Sequence, residues 1–393
     1  MKRLQAGALA AILAVPAALA PATAHAAAPR TTPAPSPTAR PGSPTSRPAG
    51  TARSSCSATD SARSPPPTAR ARPPGRPSST AGTRSPGSSY DPDGSLWALG
   101  SAVRDQIAAK DAVTKIIGRP RTTLALGQSM GGLVSAKLAE TRAVDGVLST
   151  CGIVGGGVDL NNYQLNAGHA IATLLAPSQD IKLTDYTSPA EGIVAGTQLT
   201  LAVQNAQATP AGRARIALAS AFLNQSSWFT GEEEPPRHDY AEQERQQYQW
   251  LTSGVLGFIF SGRYSINQAA GGDSAWNKGL NYSRLLTRSA NLRQVKALYR
   301  TAGLNLKKDL STLTTKATKQ LEPAPLAWMT RTSEPTGRIT VPTLNIHTIS
   351  DQLVPVEHET EYARTVRAAA APACCARPTS TARATATSRP PNT

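Results

Sequence analysis

Apolar and polar positions alternate between two periods along the chain, and the change of period marks the elements. Leu96, Leu99, Val103, Ile107, Val113, Ile116 and Ile117 keep roughly helical spacing up to Gly118-Arg119-Pro120, which predicts a helix ending there. Thr122 to Leu126 is a short apolar run that stops at Gly127-Gln128-Ser129-Met130-Gly131-Gly132. Another apolar periodic stretch follows, through Thr141. That order predicts a strand, a sharp turn and a helix. Val144 to Gly152 predicts the next strand. Strands separated by helices at this spacing argue for a parallel sheet with right-handed crossovers. Residues 153–337 break the alternation with helical stretches such as Ala211 to Leu223, Ala241 to Leu251 and Ser283 to Leu304. These predict a large, mostly helical cap inserted into the sheet domain. The sheet resumes over Ile339 to Thr348, and a helix is expected from Val356 to Ala369. The fold class expected is α/β, with a mainly parallel central sheet and a helical cap insertion.

Composition changes this picture at both ends. Residues 1–26 fit an export signal: Lys2 and Arg3, then an Ala/Leu-rich run from Ala6 to Ala20, then Ala24-His25-Ala26 as a small-x-small cleavage site. The apolar run is short for a bilayer span, so the protein is expected to be secreted, with no membrane association after cleavage. Residues 29–86 contain no Leu, Ile, Val, Phe, Trp or Tyr, and residues 372–393 have the same Pro, Arg, Ser, Thr and Ala character. These two segments carry +11 of the net charge of +16, and Lys2 and Arg3 add two more. The remaining +3 is ordinary for a globular domain, so a nucleic-acid partner is not expected.

Such segments have two readings. One is a disordered Pro-rich linker and tail, since this composition cannot bury enough apolar surface to offset chain entropy. The other is a GC-rich gene translated out of frame at 27–87 and 372–393. In the frame that begins at each third base, Ser54 to Asp60 can read Leu-Leu-Leu-Leu-Ser-His-Gly if the serines use TCN codons. In that frame Thr83 to Gly87 can read Tyr-Ala-Val-Ala-Gly, and Ala384 to Pro390 can read Gly-His-Cys-Asn-Phe-Thr-Pro. The coding DNA tests this directly. The boundaries expected are therefore a signal at 1–26, a suspect segment at 27–87, a first sheet part at 88–152, the cap at 153–337, a second sheet part at 338–371 and a suspect tail at 372–393.

The turn at Gly127 to Gly132 carries the candidate chemistry. A serine held at the tip of a strained strand-to-helix turn needs neighbours without side chains, so that backbones can pass closely. Ser129 is the candidate nucleophile, and Gly127, Gly131 and Gly132 are the residues that allow the turn. A serine hydroxyl also needs a base, a carboxylate that orients the base, and N–H donors for the oxyanion. Asp351, in the loop just past the Ile339–Thr348 strand, stands where open α/β sheets place functional groups. Its other reading is a helix N-terminal cap.

With Gly127-Gln128-Ser129-Met130-Gly131-Gly132, the stretch His347-Thr348-Ile349-Ser350-Asp351-Gln352-Leu353-Val354-Pro355 and the turn Ser88-Ser89-Tyr90-Asp91-Pro92, the chain over 88–371 resembles the α/β-hydrolase superfamily. It is most similar to secreted actinobacterial esterases and prolyl-oligopeptidase-type hydrolases with a helical insertion. The resemblance implies Ser129 as nucleophile, Asp351 as acid, the Met130 N–H as an oxyanion donor, and a histidine beyond Asp351 as base. His25 lies in the signal, His169 and His238 in the insertion, and His347 inside the predicted strand. Only His358 follows Asp351, on a helix running away from the strand end, and it is the one in-frame candidate base. The alternate frame places a His-Cys pair at 384–386, and that cysteine could pair with Cys151, which export would allow.

The function expected is a carboxylic-ester hydrolase working through an acyl-serine, impaired as written because the triad histidine is absent. The alternatives are a peptidase or amidase with the same machinery, or a catalytically dead hydrolase fold. The partner expected is a small-molecule or polymer ester, and no cofactor and no metal are expected. Trp228, Phe229, Trp250, Phe258 and Phe260 are candidates for an apolar pocket lining, but aromatics at irregular spacing are more often plain core. Gly231 to Pro236 is read as an exposed acidic loop.

Overall fold

The computed structural model describes residues 53–58, 83–88, 90 and 96–369. The signal, most of the 27–87 segment, the Asp91–Gly94 turn and the tail lie outside the described residues. Five parallel strands form one sheet: β1 (Arg53–Ala58), β2 (Thr83–Arg84), β3 (Thr122–Gln128), β4 (Gly146–Thr150) and β5 (Thr343–Ile346), in the order β2-β1-β3-β4-β5. β1 sits inside the sheet, with Ser54 to Ala58 paired to Thr123 to Gly127 of β3. Segments 53–58 and 83–84, which the written sequence offers as a polar linker, are thus strands, and both coincide with apolar words of the alternate frame.

The order has a switch point. The chain goes from β1 to β2 in one direction and then returns past β1 to β3, β4 and β5 in the other. Ligands in open α/β sheets bind outside the carboxyl ends of the strands at such a point, here between β1 and β3. Helices α1 (Ala102–Ile117) and α2 (Met130–Leu138) serve the β2–β3 and β3–β4 connections. They touch each other and so cover the same face, as right-handed crossovers in one direction require.

That face is the core of the sheet domain. Ala125, Val147, Ser149 and Asn345 are buried on it, with Leu133, Val134 and Ala136 of α2 packed above. On the opposite face, Leu126, Leu148 and Leu344 are register partners across β3, β4 and β5. Leu124, Leu126 and Leu344 are 43%, 39% and 48% exposed. Parallel sheets are ordinarily covered on both faces, and among the described residues this face is left open.

Between β4 and β5 the chain is helical: α3 (Gly157–Leu175), α4 (Pro189–Ala206), α5 (Pro210–Leu223), α6 (Tyr240–Trp250), α7 (Leu256–Ala270), α8 (Tyr282–Leu286), α9 (Leu292–Thr301), α10 (Leu306–Lys316) and α11 (Pro323–Ser333). These helices build a core of their own around Ile171, Leu199, Ile216, Leu218, Phe260 and Leu313. The stretch expected as one helix over Ser283–Leu304 is two, because Thr287, Arg288 and Ser289 close tight turns and the Ser289 hydroxyl donates to the Ala221 carbonyl at 3.0 Å. The last helix, α12 (Glu357–Ala368), follows the loop after β5.

Candidate active site

Ser129 connects β3 to α2 with φ 53° and ψ −121°, a conformation that costs a non-glycine residue about 1–3 kcal/mol. Backbone hydrogen bonds hold it there. Its N–H donates to the Thr150 carbonyl of β4 at 3.1 Å, and its carbonyl accepts from Gly132 at 3.0 Å and Ile153 at 3.2 Å. A Cβ on Gly127 would come within 2.0 Å of the Gly131 carbonyl oxygen, and one on Gly132 within 2.6 Å of the Gly152 Cα. The glycines are therefore required by close approach. The Ser129 hydroxyl makes no hydrogen bond among the described residues and is partly accessible. Met130 buries its side chain in the core, while its N–H, the first of α2, has no partner among the described residues. Helix N-termini with free N–H groups favour negative charge, so this donor suits an oxyanion beside Ser129.

Asp351 lies in the loop between β5 and α12, two strands from Ser129 at the same end of the sheet. Its Oδ1 accepts from the N–H groups of Leu353 and Val354, both at 2.9 Å. Its Oδ2 lies 3.6 Å from Nε2 of His347. His347, which the sequence places inside a strand, comes just after β5. It is buried with Nε2 2.9 Å from the Val354 carbonyl and Nδ1 3.2 Å from Glu359 Oε1. Burial opposes its protonation, but hydrogen bonds to Asp351 and Glu359 prevail and raise it to about 9. Cys151 follows β4 at φ 46°, with its N–H on the Ile346 carbonyl, and burial pushes its thiol up. Cys151, His347 and Asp351 bring ligand atoms within 4.8 Å of one another. The donor set does not suit a metal ion, since both nitrogens of His347 already face acceptors.

The sequence-derived base is placed otherwise. His358 is buried at the start of α12, with Nδ1 accepting the Gly155 N–H at 2.9 Å and Nε2 enclosed without a partner. Burial, followed by the charge of His347, lowers it to about 3. A ring packed under Gly155 with its basic nitrogen engaged does not reach out to a serine, so His358 is a structural residue. His169 is likewise inside the helical core, on the Leu313 carbonyl at 3.0 Å.

A strap of the helical region hydrogen-bonds the loop that carries Asp351. Ser226 donates to the Ile349 carbonyl at 2.7 Å, and the Ser350 hydroxyl donates to the Trp228 carbonyl at 2.8 Å. Between strap and loop lies a cavity of about 300 Å³ lined by Asn224, Gln225, Trp228, Arg237, Asn291 and Asp351 among others. Of the five aromatic residues weighed as lining or core, Trp228 alone borders it. Phe229 stacks on the buried Trp250 at 4.4 Å, Phe260 is fully buried, and Phe258 is 52% exposed. Glu232 of the acidic loop pairs with Arg245 of α6.

No family model matches the chain. Over 280 residues it is 28% identical to an o-phthalyl amidase of Xanthobacter agilis, covering 62% of this chain and 59% of that protein. Among solved structures it is similar to an esterase from Aspergillus oryzae (13% identity, TM-score 0.27, 70% of this chain and 53% of that one). It is also similar to feruloyl esterase B from the same organism (11%, TM-score 0.28, 68% and 54%). A tannin acyl hydrolase from Aspergillus niger matches at 12% identity and TM-score 0.25, over 68% of this chain and 50% of that one. The chain thus spans between half and three fifths of the length of these proteins. At such scores the α/β architecture rests on the sheet order and the turn at Ser129 rather than on the likeness.

Sequence reasoning missed His347 as a neighbour of Asp351, Glu359 as a neighbour of His347, and Ser226 and Trp228 as the strap on the Asp351 loop. A signal for the first existed in the spacing: Asp351 stands four residues after His347, and Glu359 follows where α12 turns back toward β5. The strap left none, since it joins segments more than a hundred residues apart.

Proposed function

We propose that the chain is a secreted serine hydrolase of carboxylic esters, with residues 153–337 as a cap over the site. In this reading the Ser129 oxygen attacks the acyl carbon, the Met130 N–H receives the oxyanion, and the alcohol leaves with a proton. Water then releases the acid from the acyl-serine. Asp351 orients a histidine that takes and returns the proton. The observation that carries the reading is the backbone of Ser129, held at positive φ between a parallel strand and a helix whose first N–H is free.

The histidine is the part the written chain lacks, since His358 is engaged elsewhere. We attribute this to a shifted frame at 372–393 and a second at 27–87, and expect Ser129 to be poorly activated in the chain as written. The placement of β1 in the middle of the sheet supports the second shift, because an interior strand of a parallel sheet ordinarily reads as an apolar run and Ser54-Ser55-Cys56-Ser57 does not. The 28% identity to an amidase supports a second reading, cleavage of an amide by the same groups.

A fluorophosphonate probe tests the nucleophile. Labelling is expected at Ser129, slow in the chain as written and fast once the frame is restored, and absent in Ser129→Ala. An unlabelled restored protein would sink the hydrolase reading. Comparing p-nitrophenyl esters with aminoacyl anilides then separates ester from amide cleavage.

A further inference from the structure

We propose that His347 is a buried imidazolium that positions Asp351 by facing Oδ2 of its carboxylate; this rests on the reading of Asp351 as the triad acid. The geometry sets the charge. Nε2 faces the Val354 carbonyl at 2.9 Å and Nδ1 faces Glu359 Oε1 at 3.2 Å. A neutral ring carries one N–H, so opposite a Glu359 carboxylate and the Val354 carbonyl it would set a bare lone pair against one acceptor, whereas the doubly protonated ring satisfies both. Burying a cation is costly unless it is paired. Here two carboxylates answer it, Glu359 from α12 and Asp351 at 3.6 Å from the loop after β5.

The other titratable groups around the ring fit the same charge. The thiol of Cys151, at the end of β4, is kept protonated by burial, with Asp351 adding to the effect. Glu357 is pushed up by burial, and His347 pulls it back down. His358 on the same helix is held neutral by burial and by the charge of His347. Asp351 is thereby fixed from two sides. Two backbone N–H groups bind Oδ1, and the imidazolium faces Oδ2.

The test is a nitrogen-detected titration of the full chain labelled with 15N-histidine, with His347 assigned by the loss of its signals in His347→Gln. Both ring nitrogens are expected as imidazolium at pH 7.5, with a midpoint of about 9. Asp351→Asn is expected to lower that midpoint by at least one pH unit, a tenfold loss of proton affinity, and Glu359→Gln to lower it as well. A purely packing role for His347 would leave the midpoint unmoved by Asp351→Asn. A neutral ring at pH 7.5, or a midpoint unmoved by either variant, would overturn the proposal; having two variants guards against one failing to fold. The readout does not use Ser129, so absent labelling there counts against the hydrolase reading alone.

Discussion

Replacing His347 by Gln gives a stability change that depends on pH in a calculable way. In the folded chain the ring is raised from 6.5 to about 9, mainly by hydrogen bonds to Asp351 and Glu359 acting against burial. At 1.36 kcal/mol per pH unit, that difference corresponds to about 3 kcal/mol. Because the folded value lies above the unfolded one, the stabilisation is complete below pH 6.5, shrinks as pH rises, and is gone above about 9. Gln keeps an amide N–H for the Val354 carbonyl but cannot carry the charge. Urea unfolding of both proteins at pH 6 and pH 9.5 is the assay. The cost of His347→Gln should be larger at pH 6 than at pH 9.5 by about 3 kcal/mol, on top of a pH-independent loss of packing. Equal costs at the two pH values would refute the reasoning, since lost packing and neutral hydrogen bonds have no reason to follow a titration.

Gly127→Ala drives a Cβ to 2.0 Å from the Gly131 carbonyl oxygen and should cost about 3 kcal/mol or more in urea unfolding, with loss of any Ser129 labelling. Glu244 is buried on α6 and raised by burial to about 7, so its charge burdens the fold increasingly as pH climbs from 4.5 through 7. Glu244→Gln should therefore add about 3 kcal/mol at pH 8.5 and little at pH 4.5, which denaturant curves at the two pH values would check. The double change Leu126→Ser and Leu344→Ser removes apolar surface from the open sheet face; it should cut binding of a hydrophobic dye while costing at most about 1 kcal/mol, as exposed positions do.

What the sequence revealed and what it hid divide by the range of the interaction. β3, the turn and α2 are legible to within two or three residues, because an apolar run, close-approach glycines and a helical period are all local. α5 and α6 also begin and end within a residue of expectation, each opened by a side-chain cap, Thr209 and Asp239. β5 is shorter than the Ile339–Thr348 run suggests. Thr340 turns its N–H to the Ala139 carbonyl of the α2 end, and Ile339 and Val341 pack into the core without joining the ladder. Apolar content marked their burial but not the partner that took them out of the strand. Ser129 and Asp351 were legible as motifs. His347 was not, because its role depends on Glu359 folding back onto it twelve residues later.

The open sheet face bears on the Pro/Arg-rich segment before residue 88. Strands β1 and β2 are joined through residues 59–82, and the sheet they extend has one face under α1 and α2 and another that these two helices leave open. That is the face on which Leu124, Leu126 and Leu344 stand exposed. The stretch between those two strands, residues 59–82, is long enough for a crossover helix, yet its only apolar side chains are alanines. Fully burying one leucine is worth about 1.5–3 kcal/mol, so these three, each a little under half exposed, forgo about 2–4 kcal/mol together. Three partly exposed leucines on a parallel sheet whose interior strand reads Ser54-Ser55-Cys56-Ser57 are a local inconsistency between sequence and fold. Natural sequences rarely contain such conflicts outside functional sites. Ser54 to Ser57 can read as four leucines in the frame that begins at each third base, so the coding DNA at 27–87 tests this conflict directly.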